Sequence, residues 1–275
     1  MKDFESGLWL GRTQERHDQF SASLVRRIAA TFEVSAPAEG EELPWLWHWC
    51  FFDDGAPQSG LGPDGHPALG TFMPPAFGRN RMWAGSRVSF LNPLHVGARA
   101  RRLTTIAKIE EKHGRSARLL FVTLAHEVWE DDVLCLREEQ DVVYREPSPP
   151  KLAAGDPVIE TQWSESVVPD ALLLFRYCAL TFNAHRIHYD WPYVTDTEGY
   201  PGLVVHGPLT ATLNLAAFTR AHPLARLKHF SFRGIRPLIA PAPIHFGGRH
   251  VEHGVAELWA SDANGISQHA TIDFD

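Results

Sequence analysis

The chain has 275 residues, 44% of them hydrophobic, with 21 Gly and 20 Pro. It can therefore bury one large core or two of ordinary size without disulfides or a structural metal. A net charge of −7 argues against a general nucleic-acid binder, which needs a basic face. Cys50, Cys135 and Cys178 form no C-x-x-C pair, and Met1–Ser6 lacks the basic-then-apolar layout of a signal peptide. No uncharged apolar run reaches the length of a membrane span. A cytoplasmic protein, with neither nucleic acid nor membrane as partner, is expected.

Residues 13–33 read as an amphipathic helix, because Phe20, Leu24, Ile28 and Phe32 recur every four positions with Arg26 and Arg27 off that face. The run P-W-L-W-H-W-C-F-F, Pro44 to Phe52, reads as aromatic core or interface. Asp53 to Pro75 is rich in Gly and Pro and reads as a long loop, a length that is usually functional or mobile. The pattern then becomes strand-like over 87–91, 98–107, 117–128 and 134–144. A charged turn with glycine at Glu110–Gly114 separates two of these runs, which together make an antiparallel meander.

Glu146 to Pro157, E-P-S-P-P-K-L-A-A-G-D-P, reads as a proline-rich linker. After it come a loop with many His and aromatic residues and a helix over 208–221 with Pro at its first turn. Strands follow over 228–238, 244–251, 254–260 and 267–274. The segment from Arg87 matches the one from Phe232, each ending a strand at Pro-Leu. A helix plus a meander, twice, implies a duplication. The reading is α+β: an N-terminal unit over 1–146, a linker over 147–157 and a C-terminal unit over 158–275.

The densest chemical signal is F-R-Y-C-A-L-T-F-N-A-H-R-I-H-Y-D, Phe175 to Asp190, followed by V-V-H-G-P-L-T-A-T, Val204 to Thr212. It resembles the hydratase signature of the MaoC-like (R)-specific enoyl-CoA hydratase and hydroxyacyl-thioester dehydratase family. There an acidic residue precedes a histidine by five positions, and a His-Gly pair opens the central helix. Here His188 holds the histidine position and Asn183 the acidic one. The asparagine form is similar to the two-hotdog branch that includes mesaconyl-C4-CoA and itaconyl-CoA hydratases. The runs L-P-W-L-W-H-W from Leu43, L-G-P-D-G-H-P from Leu61 and R-M-W-A-G from Arg81 resemble that branch too. The resemblance implies a double hotdog, an antiparallel sheet wrapping two central helices, and reversible hydration of an enoyl-CoA.

The chemistry can be argued from the residues themselves. A neutral His188 can take a proton from water attacking the enoyl double bond and return it in reverse, a contribution of about 10²- to 10⁴-fold. Asn183 cannot exchange protons, but its amide can aim that water. Five residues rotate a helix by about 140°, so Asn183 and His188 can share a water only if their segment is irregular. Gly207, at the start of the expected helix, leaves its N–H open to an enolate oxygen, with the partial positive charge of a helix terminus behind it.

Arg79, Arg81 and Arg176 flank the motif regions and suit a substrate carboxylate. His185, His206 and Tyr189 are further substrate-contact candidates. No H-E-x-x-H and no phosphate-cradling glycine motif is present, so neither a metal nor an organic cofactor is expected. Two alternatives stay open: a thioesterase using Asp190, and a non-catalytic acyl-CoA-binding protein. The N-terminal unit lacks the N-x-x-x-x-H motif, so it is expected to cover substrate rather than react. A homodimer is expected from the edge strands of such a sheet.

Overall fold

The computed structural model describes residues 6–53, 55–76, 78–113, 118–150, 152–158 and 160–275. Met1–Glu5, Asp54 of the long loop, Gly114 and Ala117 of the meander, Lys151 of the linker and Ile159 lie outside them. Ten strands form one antiparallel sheet: β1 (Thr13–Gln19), β2 (Asn80–Phe90), β3 (Arg99–His113), β4 (Arg118–Glu130), β5 (Val133–Arg145), β6 (Trp163–Val167), β7 (Leu227–Gly234), β8 (Ile244–Glu252), β9 (Val255–Asp262) and β10 (Gly265–Phe274). Their spatial order is β1-β3-β4-β5-β2-β7-β10-β9-β8-β6. The two halves of that order are one topology run twice and joined back to back. The seam is β2 against β7, from Gly85↔Arg233 to Ser89↔His229, so the two repeat segments seen in the sequence are direct neighbours. This is the double hotdog.

Three helices lie among these strands: α1 (Ala22–Phe32), α2 (Ala171–Leu180) and α3 (Gly207–Ala221). The helix expected over 13–33 starts only at Ala22, capped by the Ser21 hydroxyl, which accepts from the Leu24 N–H. Its apolar positions begin at Phe20. The preceding T-Q-E-R-H-D-Q has no apolar face to bury and pairs with β3 as an alternating edge strand instead. Helix α2 and strand β6 fall in a stretch that reads as loop. α2 is apolar nearly all round, so no period stands out. The strand expected over 228–238 leaves the sheet at Gly234, short of Pro237, as a proline without an N–H requires.

One face of the sheet carries the core. Val25, Ile28 and Ala29 of α1 cluster with Val128 and Leu136. Ala211, Leu215 and Phe218 of α3 cluster with Val88, Phe230, Phe232, Leu258 and Ile272. The long loop is not loose: Leu69, Phe72 and Met73 pack on Ile106, Leu120, Val122 and Val142. Glu138 is buried on this face and accepts from His48, Trp49, Ser86 and Gln140. Among the described residues, no helix is long and apolar enough to cross a membrane.

Candidate active site

The chain leaves α2 through Phe182, whose φ of 45° is left-handed, and His185, extended at φ −63° and ψ 114°, breaks any helical course between Asn183 and His188. Asn183 donates its N–H to Cys178 O at 2.9 Å, and its Oδ1 accepts from the His185 N–H at 3.0 Å. A short 3₁₀ turn, Arg186–His188, follows. The segment is therefore irregular, as a shared water demands. With Oδ1 used in the local turn, the Asn183 amide nitrogen remains as its donor.

His188 is buried, and its Nδ1–H donates to the Val204 carbonyl at 2.7 Å. A carbonyl can only accept, so this bond fixes the tautomer and leaves Nε2 with the lone pair. The Val204 N–H returns a bond to Ile187 O at 3.0 Å, stitching the turn to the segment that enters α3. Burial pushes the pKa of His188 down to about 4, which keeps the ring a neutral base. Its ring stacks on His206 at 3.6 Å between centroids, and His206 is the residue just before Gly207. His188 and the α3 N-terminus thus meet. The first bond of the α3 ladder runs from Thr210 N–H to His206 O, and Pro208 has no N–H. The N–H groups of Gly207 and Leu209 therefore precede that ladder. A Cβ on Gly207 would lie 3.8 Å from Trp83 O, in ordinary van der Waals contact, so the backbone of β2 passes directly beside the start of α3.

The N-terminal half supplies side chains that carried no role in the sequence. The loop around Asp64 docks on the turn that carries His188: Arg186 donates from its backbone to Asp64 O at 2.9 Å and from Nη1 to Pro63 O at 3.0 Å. His66 Nδ1 donates to Asp64 Oδ2 at 2.9 Å, and its ring lies 4.1 Å from that of His185. Burial lowers His66 against the pull of Asp64. Burial raises Asp64, but the bonds from His66, its charge and the local backbone N–H together outweigh this and hold the carboxyl below its usual range. Only the run L-G-P-D-G-H-P hinted at this pair, and nothing in a linear reading places it against residue 185.

Asp64, His66 and His185 bring ligand-type atoms within 4.8 Å of one another. The Asp64–His66 hydrogen bond already engages the carboxylate and one ring nitrogen, which leaves too few donors for a closed tetrahedral set. Asp190 joins neither this group nor His188. It accepts from Arg186 at 2.8 Å and from the Tyr193 N–H at 3.1 Å, so the carboxylate a thioesterase would need is spent.

The remaining candidates divide. His185 is buried beside His188, and burial holds it far below its ordinary range. His206 is buried, and its Nε2 meets the Cys178 thiol at 3.2 Å. Tyr189 is half exposed and donates to Ala184 O at 3.0 Å. Arg79 is paired with Glu111 at 2.8 Å, and Arg176 lies exposed on α2, reaching Ala30 O at 3.4 Å. Neither is brought to the turn. Arg81 is: it faces Tyr144 across β2 and β5, and its charge acts on His66 and His185.

The family profile of hydroxyacyl-thioester dehydratase type 2 matches residues 46–240. The mesaconyl-C(4)-CoA hydratase of Chloroflexus aurantiacus is 47% identical over 246 residues, 88% of each chain. The mitochondrial hydroxyacyl-thioester dehydratase type 2 of Schizosaccharomyces pombe is 27% identical over 272 residues, 89% of this chain and 87% of that one. A MaoC-like dehydratase from Phytophthora capsici shares the fold with a TM-score of 0.73 at 14% identity, covering 99% of both chains. The chain belongs to the hydroxyacyl-thioester dehydratase type 2 family and is a hydro-lyase that hydrates an enoyl-CoA.

Proposed function

We propose that the substrate is a short enoyl-CoA whose acyl group bears a second carboxylate, of the mesaconyl-C4 or itaconyl kind. The 47% identity to a mesaconyl-C(4)-CoA hydratase supports the acyl class. The observation that carries the mechanism is His188, with Nδ1 committed to Val204 O and Nε2 free, beside the N-terminus of α3. Nε2 takes a proton as the water oxygen bonds to the β-carbon. The π electrons move to the thioester oxygen, and the Gly207 N–H meets that charge. The same proton then returns to the α-carbon. The Asn183 amide aims the water.

Each chain carries one such site, built by residues 158–275 and covered by the loop of the N-terminal half, with the chain working in the cytoplasm as a homodimer. Pairing through sheet edges is poorly supported, since β1 is charged and β6 has five residues. A better contact is the exposed apolar stripe Leu172, Phe175 and Phe182. The test is a panel of enoyl-CoA esters with and without a free carboxylate. Loss of enoyl absorbance without thiol release agrees with hydration. Thiol release would mean hydrolysis.

A further inference from the structure

Beside the reacting residues stand a cation and a hydroxyl that have no partners among the described residues. Arg81 and Tyr144 are directly opposed in the register of β2 and β5, so both side chains leave the same face of the sheet. Tyr144 is fully buried within the apolar cluster under the long loop, yet its hydroxyl has no hydrogen-bond partner. A buried phenol normally finds one. Among the described residues, Arg81 forms no ion pair. Arg81 is half-buried, and its charge acts on Tyr144, His66 and His185. Asp64 is the carboxylate near this group, and it is occupied by His66.

The position relative to the reacting end is short. The backbone of Trp83 is the nearest neighbour of a Cβ built on Gly207, and Arg81 lies two residues along the same strand from Trp83, about 7 Å away. In a mesaconyl-C4 thioester the free carboxylate sits on the β-carbon, the atom that takes the hydroxyl. A thioester oxygen at Gly207 would put that carboxylate a few bond lengths off, on the Arg81 side. The pyrophosphate of CoA, at the far end of a long pantetheine arm, does not reach there.

Resting on the hydratase reading above, we infer that Arg81 and the Tyr144 hydroxyl form a subsite for the free carboxylate of a dicarboxylic acyl group. The guanidinium supplies a planar pair of donors and the phenol a third. The site is then one of substrate choice, and Tyr144 joins it as a residue that no motif marks.

The experiment compares mesaconyl-C4-CoA with 3-methylcrotonyl-CoA, in which a methyl group replaces the carboxylate and nothing else changes. The wild type should favour the dicarboxylic ester. Arg81→Gln should lower kcat/KM for it on the order of 10- to 100-fold and leave 3-methylcrotonyl-CoA nearly unchanged. Tyr144→Phe keeps the packing and removes only the hydroxyl, so it should show a smaller loss of the same selectivity. Equal losses on both esters, or a wild type that does not distinguish them, would overturn the subsite while leaving hydration intact. Hydration of neither ester by the wild type would overturn the hydratase reading itself, and the subsite with it.

Discussion

Gly65 passes so close under the carbonyl of Ala184 that a Cβ there would sit 1.8 Å from the oxygen. Its φ of 90° is also one that L side chains rarely adopt. This contact, with the two bonds from Arg186, fastens the N-terminal loop to the turn that carries Asn183 and His188. Gly65→Ala should push the two apart. A misplacement of this size can cost on the order of 10²-fold in kcat/KM, and the strain of a side chain at this φ should also lower the thermal midpoint. Steady-state kinetics beside a melting curve would check it. Near-normal turnover would mean that the loop is not needed for the site.

His188→Ala should remove hydration by about 10²-fold or more while the fold survives, since the ring's one strong bond is to a single carbonyl. Asn183→Ala should lose activity through a misaimed water. Asn183→Asp should keep part of it, because an acidic residue holds this place in the hydratase signature that the segment resembles. Both Asn183 variants fully active would take this residue out of the mechanism.

The helix α3 and the meander strands were legible because their patterns are regular and their breaks carry Gly or Pro. Gly207 and His188 were legible for a different reason, since they sit within one short stretch of chain. Asp64, His66 and Tyr144 were not, and Arg81 was named only as one of three candidate arginines, because the topology that carries the loop and the seam strands onto the C-terminal turn is long-range. Helix α2 was hidden by its own uniform apolarity. Residues 13–19 were misread because the helical period of Phe20 to Phe32 was extended backwards over residues that have no apolar face.

Acid should destabilise the protein in two stages. Burial pushes His126 and His188 from 6.5 down to about 4, so between those values the unfolded chain binds protons that the folded one does not. Stability therefore falls as pH drops through that window, by about 1.4 kcal/mol per pH unit for each group at most, and that loss levels off below it. Glu138 supplies the second stage, at lower pH. Burial raises it, but its donors, His48 first, outweigh burial and hold it at about 2, so its stabilisation is present above 4.5 and lost toward 2. Urea midpoints measured from pH 7 to 3 test this. A midpoint unchanged between pH 7 and 5 would contradict it.

Glu138→Ala should cost about 3–5 kcal/mol, because it leaves the donors of His48, Trp49, Ser86 and Gln140 buried and unpaired. Urea unfolding of the variant against the wild type reads this directly. A loss under 1 kcal/mol would mean that water replaces the carboxylate, and the buried hub would not be the structural element described here.

The central claim is that a neutral His188 at the α3 N-terminus moves a proton between water and an enoyl-CoA. The most direct measurement follows enoyl absorbance and free thiol together, with mesaconyl-C4-CoA as substrate, for the wild type and for His188→Ala. The account predicts that the wild type consumes the double bond and releases no thiol, and that the variant does neither. Undiminished loss of absorbance in the variant, or thiol release by the wild type, would contradict it.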